Sequence, residues 1–85
     1  MNIYFDRLFM KQLKKLSPKL RTQTIDRIEL FRNLPHHPAL RNHKLNPPFA
    51  DYRSINISGD IRAIYQEKDT MITFVKIGTH SELYS

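Results

Sequence analysis

Four histidines punctuate the chain, His36, His37, His43 and His80, and Asp60, Arg62 and Tyr84 stand between and beyond them. Histidine changes protonation near neutrality and can take up a proton or give one. A carboxylate whose pKa is raised can also accept, and a guanidinium offers a phosphate permanent, forked charge. An aromatic ring can stack on a nucleobase. Together these are the parts for cleaving RNA through its own 2′-hydroxyl. That reaction needs a base for the hydroxyl, positive charge for the phosphate oxygens and an acid for the leaving 5′-oxygen. Each residue also has a plainer role. Asp60, in Ser58-Gly59-Asp60, suits a hairpin turn. Arg62 suits a solvated strand, and His80 suits a tail residue that hydrogen-bonds to hold the terminus. Spacing alone puts the plainer roles of Asp60 and Arg62 first and leaves His80 open. The His36-His37 pair, between Pro35 and Pro38, reads as a solvated loop. Adjacent histidines point apart and lack further ligands, so no metal site and no cofactor are expected.

The charge agrees with a phosphate-bearing partner. Fourteen Lys and Arg against eight Asp and Glu give a net charge of +6, with a pI near 9.9, the electrostatic footprint of a nucleic-acid binder or of a protein with an acidic partner. Membrane-surface binding fits poorly, because no predicted helix joins a basic face to a broad apolar one. No apolar run approaches the ~20 residues of a membrane span. The start, Met1-Asn2-Ile3-Tyr4 with Asp6 close behind, lacks the basic and apolar regions of a signal peptide. The absence of cysteine removes disulfides, thiolate nucleophiles and cysteine zinc sites. The expectation is a soluble, cytoplasmic protein of a single domain, residues 1–85.

The elements that must position these residues are readable in outline. Asn2 to Phe5 predicts a strand, and Asp6 caps a helix to about Leu16 with Phe9, Leu13 and Leu16 at helical spacing. Ser17-Pro18 begins a second helix, which has Leu20, Ile25, Ile28, Phe31 and Leu34 along one side and stops before Pro35. A connection follows, with a short strand near His43 to Leu45. Strands are predicted over Tyr52 to Ile57, Ile61 to Glu67 and Met71 to Ile77, the last apolar on both faces and therefore central. A three-residue loop, Ser58-Gly59-Asp60, pairs Ile57 with Ile61, Ile55 with Ala63, Asn56 with Arg62 and Ser54 with Ile64. One face then carries the core, and the other carries Tyr52, Asn56 and Arg62.

Several blocks carry a family resemblance: His43-Lys44-Leu45, Tyr52-Arg53-Ser54, Gly59-Asp60-Ile61-Arg62-Ala63-Ile64-Tyr65 and Ile77-Gly78-Thr79-His80-Ser81-Glu82-Leu83-Tyr84. In order and spacing they resemble the RelE/ParE superfamily of bacterial toxins, and most closely the YafQ-type mRNA interferases of type II toxin–antitoxin systems. The resemblance covers nearly the whole chain. It implies an α+β fold with two N-terminal helices on a small twisted antiparallel sheet. It also implies ribosome-dependent mRNA cleavage in the A site, contact with ribosomal RNA and silencing by a cognate antitoxin. His43, Asp60, His80 and Arg62 fall on catalytic positions, with either His43 or Asp60 as the base. Tyr84, Asn56, Arg53 and Lys44 fall on the substrate side. Two residues depart from the pattern: Asn56 stands where these toxins have another histidine, and Ile61 where they often have tryptophan. The alternative within the same fold is a ParE-like toxin that inhibits DNA gyrase and cuts nothing; fold alone does not choose between them.

Overall fold

Asp6 and Ser17 start the two N-terminal helices of the computed structural model, which describes residues 1–84. Strand β1 (Asn2–Phe5) leads into α1 (Arg7–Lys14), where the Asp6 carboxylate accepts from the Leu8 N–H at 3.3 Å. Ser17 Oγ accepts from the Leu20 N–H at 3.2 Å, and Pro18 opens α2 (Pro18–Asn33) at a position where no N–H is needed. Leu34 caps α2 just before Pro35, as predicted. The buried side of α2 differs from its apolar pattern. Thr24, Ile28 and Phe31 face the core, whereas Ile25 and Leu34 are 57% and 56% exposed. Thr24 is tolerated inside because its hydroxyl donates to the Leu20 carbonyl at 2.7 Å, so burial leaves no orphan donor.

The helices lie on a five-stranded sheet of order β1-β5-β4-β3-β2. Strands β2 (His43–Lys44), β3 (Tyr52–Ser58), β4 (Ile61–Lys68) and β5 (Met71–Thr79) are antiparallel neighbours. β1 adds to the far side of β5 in parallel, with Asn2 opposite Met71 and Phe5 opposite Phe74. The sheet is therefore mixed rather than purely antiparallel, and β5 is interior, as its doubly apolar pattern predicts. A short helix, α3 (His80–Tyr84), follows β5. No helix among the described residues is long and apolar enough to cross a membrane.

The β3–β4 register keeps the predicted parity by a different route. Ile55 lies opposite Ala63, Asn56 opposite Arg62 and Ser54 opposite Ile64. The turn, however, is only Gly59-Asp60, and Ser58 rather than Ile57 pairs with Ile61. A bulge between Asn56 and Ser58 supplies the odd residue, so Ile57 stays on the core face and is 1% exposed. Gly59 takes φ 52° at the first position of the turn, a conformation glycine adopts without a side-chain penalty.

Phe74 is the centre of the core. Its ring centroid lies 5.9 Å from Phe5, 5.7 Å from Phe9, 5.5 Å from Phe31 and 5.5 Å from Tyr65. Four elements and the strand itself thus meet on one fully buried ring. Phe74→Ala is expected to cost about 3–5 kcal/mol in urea unfolding. Ser17→Ala, which removes only a cap, should cost about 1 kcal/mol in the same measurement. Equal losses would contradict this ranking.

Candidate functional site

The connection between α2 and the sheet is irregular, yet it is pinned at several points. Pro38–Leu40 forms one 3₁₀ turn, capped by His37, whose Nδ1 accepts from the Ala39 N–H at 3.0 Å. His37 is thus a half-buried cap rather than a solvated loop residue, while His36 is exposed. Arg41 follows in the left-handed region at φ 46°. The Asn42 side chain then ties the segment down. Its amide donates to the Pro35 carbonyl at 2.9 Å and to the Tyr65 hydroxyl at 2.8 Å, and its Oδ1 accepts from Arg53 Nε at 2.8 Å. Burial pushes the Tyr65 hydroxyl above its ordinary pKa, although Asn42 and Arg53 pull it partly back, so it remains neutral and available as acceptor.

This anchorage sets the next residue. His43 Nδ1 lies 2.8 Å from the Arg41 carbonyl oxygen, which can only accept, so Nδ1 carries the hydrogen. In the neutral ring Nε2 then holds the free lone pair and points the ring's basicity outward.

At the other end of the chain, Thr79-His80-Ser81-Glu82 forms a capping box. Glu82 N–H donates to Thr79 Oγ1 at 3.1 Å, and Thr79 N–H donates to Glu82 Oε1 at 2.8 Å. The Thr79 N–H, and after it the Thr79 side chain, hold the Glu82 carboxyl below its usual pKa. Gly78 sits close under the same contact: a Cβ there would meet Glu82 Oε1 at 3.1 Å, so the carboxylate would have to shift by a few tenths of an ångström. The box starts α3 and carries His80 out of β5 with its ring 4.8 Å from that of Tyr84. Tyr84 in turn meets Phe49 edge-on at 6.3 Å.

His43, Lys44, Arg62, His80 and Tyr84 line one cleft of about 310 Å³ on the sheet face away from α1 and α2, with Phe49 as part of its wall. Its polar lining has two imidazoles and a guanidinium and no carboxylate. Among the described residues Arg62 has no salt-bridge partner. Such a lining suits an anion with groups on either side able to exchange protons. Three predicted residues lie elsewhere. Asp60 is exposed at the β3–β4 turn and does not line the cleft. Asn56 pairs with Arg62 across the strands and is half-buried, but is not part of the wall. Arg53 alternates onto the opposite face, opposite Tyr65, where its guanidinium serves the Asn42 bond. Phe49, Asn42 and Glu82 are additions to the predicted set. The Thr-x-x-Glu spacing was a readable sign of the last, but no local pattern announces a contact like that between Asn42 and Tyr65.

A family model described as the bacterial toxin of type II toxin–antitoxin systems, YafQ, matches residues 1–85. No curated protein matches the sequence. Among solved structures, YafQ from E. coli is similar with a TM-score of 0.81 at 20% identity, over 99% of this chain and 98% of that one. A chain of the E. coli DinJ–YafQ toxin–antitoxin complex gives 0.80 at 20% identity, over 99% and 97%. A metal-bound toxin from Helicobacter pylori gives 0.72 at 26% identity, over 99% of each chain.

The capping box makes a pH-dependent prediction. Because the Glu82 pKa is depressed by folding, its contribution is complete above the unfolded value of about 4.3 and is lost as pH falls through the lower folded value. The Thr79 amide resonance should therefore titrate with a midpoint below about 4.3, and Glu82→Ala should abolish that titration. A midpoint at the ordinary glutamate value would show that the bond does not persist in solution.

Proposed function

The chain belongs to the YafQ family of bacterial toxins of type II toxin–antitoxin systems, and on that footing we propose that it is an endoribonuclease that cuts mRNA on the ribosome. The observation that carries the reading is the meeting of His43, Arg62 and His80 in one cleft free of carboxylates. A gyrase inhibitor of the ParE kind has no use for two imidazoles facing a guanidinium.

In this reading the scissile phosphate sits against Arg62, with Lys44 adding charge nearby. His43 Nε2, the unprotonated nitrogen of its tautomer, takes the proton of the 2′-hydroxyl. The 2′-oxygen forms a bond to phosphorus, the bond to the 5′-oxygen breaks, and protonated His80 gives its proton to that leaving oxygen. The products are a 2′,3′-cyclic phosphate and a 5′-hydroxyl. We assign the base to His43 rather than Asp60, because Asp60 stands in an exposed turn outside the cleft. Tyr84, whose ring is tilted against that of His80, is suited to a base next to the cut. The partners are mRNA and ribosomal RNA in the A site and a cognate antitoxin, as E. coli YafQ has in DinJ. The place of action is then the cytoplasm. The antitoxin would be an acidic or amphipathic segment, which a chain of +6 attracts chiefly by faster association.

Single-turnover cleavage of mRNA on programmed ribosomes tests the assignment. His43→Ala and His80→Ala should each slow cleavage by ~10²–10⁴-fold, and Arg62→Ala by ~10²–10³-fold. His36→Ala should leave the rate unchanged, and Arg53→Ala should lower stability. Cleavage at the wild-type rate by either histidine variant would refute its role. Intact mRNA with arrested DNA supercoiling would favour gyrase instead.

A further inference from the structure

We propose that a second pocket on the cleft face is a subsite for one nucleobase of the substrate RNA, and that it prefers a base with an exocyclic amino group over uracil. This rests on the reading of the adjoining cleft as the phosphate site. The pocket is about 200 Å³ and shares Leu45, Phe49 and Tyr84 with the cleft, so the two are one continuous surface. A nucleotide held by its phosphate at Arg62 can therefore extend its base across Phe49 and Tyr84 without leaving the protein. The volume is below the ~300–1,000 Å³ typical of pockets for whole small molecules, which fits a single ring system rather than a complete nucleotide.

The lining supports a base in particular. Ile64 and Leu83, 5% and 6% exposed, lie among its apolar walls, and Tyr52 stands beside Phe49 and Tyr84 as an aromatic wall. Apolar and aromatic surfaces of this kind stack with any base. Selectivity comes from the charged lining residues, Asp6 and Lys76. They make no salt bridge with each other. One Asp6 oxygen caps α1, and the other has no partner among the described residues. The pocket thus offers one strong acceptor and one strong donor. Cytosine, adenine and guanine each present an amino donor near a ring-nitrogen or carbonyl acceptor, which matches that pair. Uracil presents a single N–H flanked by two carbonyls, so a carboxylate that accepts from it lies beside two carbonyl oxygens, of which Lys76 can face only one.

The test is amide chemical-shift mapping on the ¹⁵N-labelled full chain with inorganic phosphate, ribose 5-phosphate, and the 3′-monophosphates of cytidine, guanosine, adenosine and uridine. All six should move resonances of His43, Arg62 and His80. Only the amino-bearing nucleotides should also move those of Tyr52, Ile64, Val75 and Leu83. Asp6→Asn keeps the helix cap, since asparagine caps as well as aspartate. It should weaken the amino-bearing nucleotides about tenfold and leave inorganic phosphate unchanged, a loss of one charge-assisted hydrogen bond. Lys76→Met should act in the same direction. Shifts at the cleft with a silent pocket for every nucleotide would overturn the subsite while leaving the cleft reading intact. Equal pocket shifts with uridine would overturn the selectivity. No response anywhere to phosphate or nucleotides would overturn the cleft reading and the subsite with it.

Discussion

The side-chain amide of Asn42 ties the irregular connection after α2 to two neighbouring strands of the sheet. It joins the end of α2 at Pro35 to a buried tyrosine of β4 and to an arginine of β3. Buried polar groups are stable only when partnered, and here three of them satisfy one another around a single residue. The segment thereby loses the freedom its prolines and polar residues would otherwise leave it. Arg41 keeps its left-handed conformation, and its carbonyl meets the neighbouring imidazole at a fixed place. The Asn42 anchorage thus lies on the other face of the sheet from the cleft that His43 lines, and it steadies the backbone whose carbonyl fixes the His43 tautomer.

His80 is positioned by different means but to the same end. The strand supplies rigidity up to Gly78, and the reciprocal bonds of Thr79 and Glu82 turn the chain sharply into α3. Both imidazoles therefore sit one residue beyond a fixed point. The sheet contributes Arg62 directly, from the second residue of a strand paired on both sides. The cleft is built from three separate parts of the sequence, each held by its own local device. Their convergence depends on the bulge at Ile57, which keeps Arg62 on the open face while the isoleucines fill the core.

Much of this could be read from residue order. The caps at Asp6 and Ser17, the stop at Leu34-Pro35 and the alternation of β3 and β4 are local signals, and they hold in the structure. The exposed and buried sides of α2 could not be read from apolarity, because Thr24 satisfies its own hydroxyl within the helix and Ile25 has nothing above it to meet. The parallel partner of β1 is a pairing between distant segments, which no window of sequence contains. The site shows the same division. Arg53 shares its parity with Ile55 and Ile57, so alternation alone already put it on the core side, and it was the family pattern that drew it towards substrate. His43 and His80 lie far apart in sequence, and only the folded sheet brings both to one cleft.

The parallel pairing of β1 with β5 has a consequence for the moment at which the protein becomes itself. β1 has no partner until β5 emerges, and Phe74, on which α1, α2, β1 and β4 all pack, arrives with it. Contacts between chain ends form late and slowly, because a long loop must close before they are rewarded. A half-made chain can hold helical turns but has no core in which to bury them. A nascent chain therefore has no cleft until β5 and the residues after it have emerged and joined the sheet.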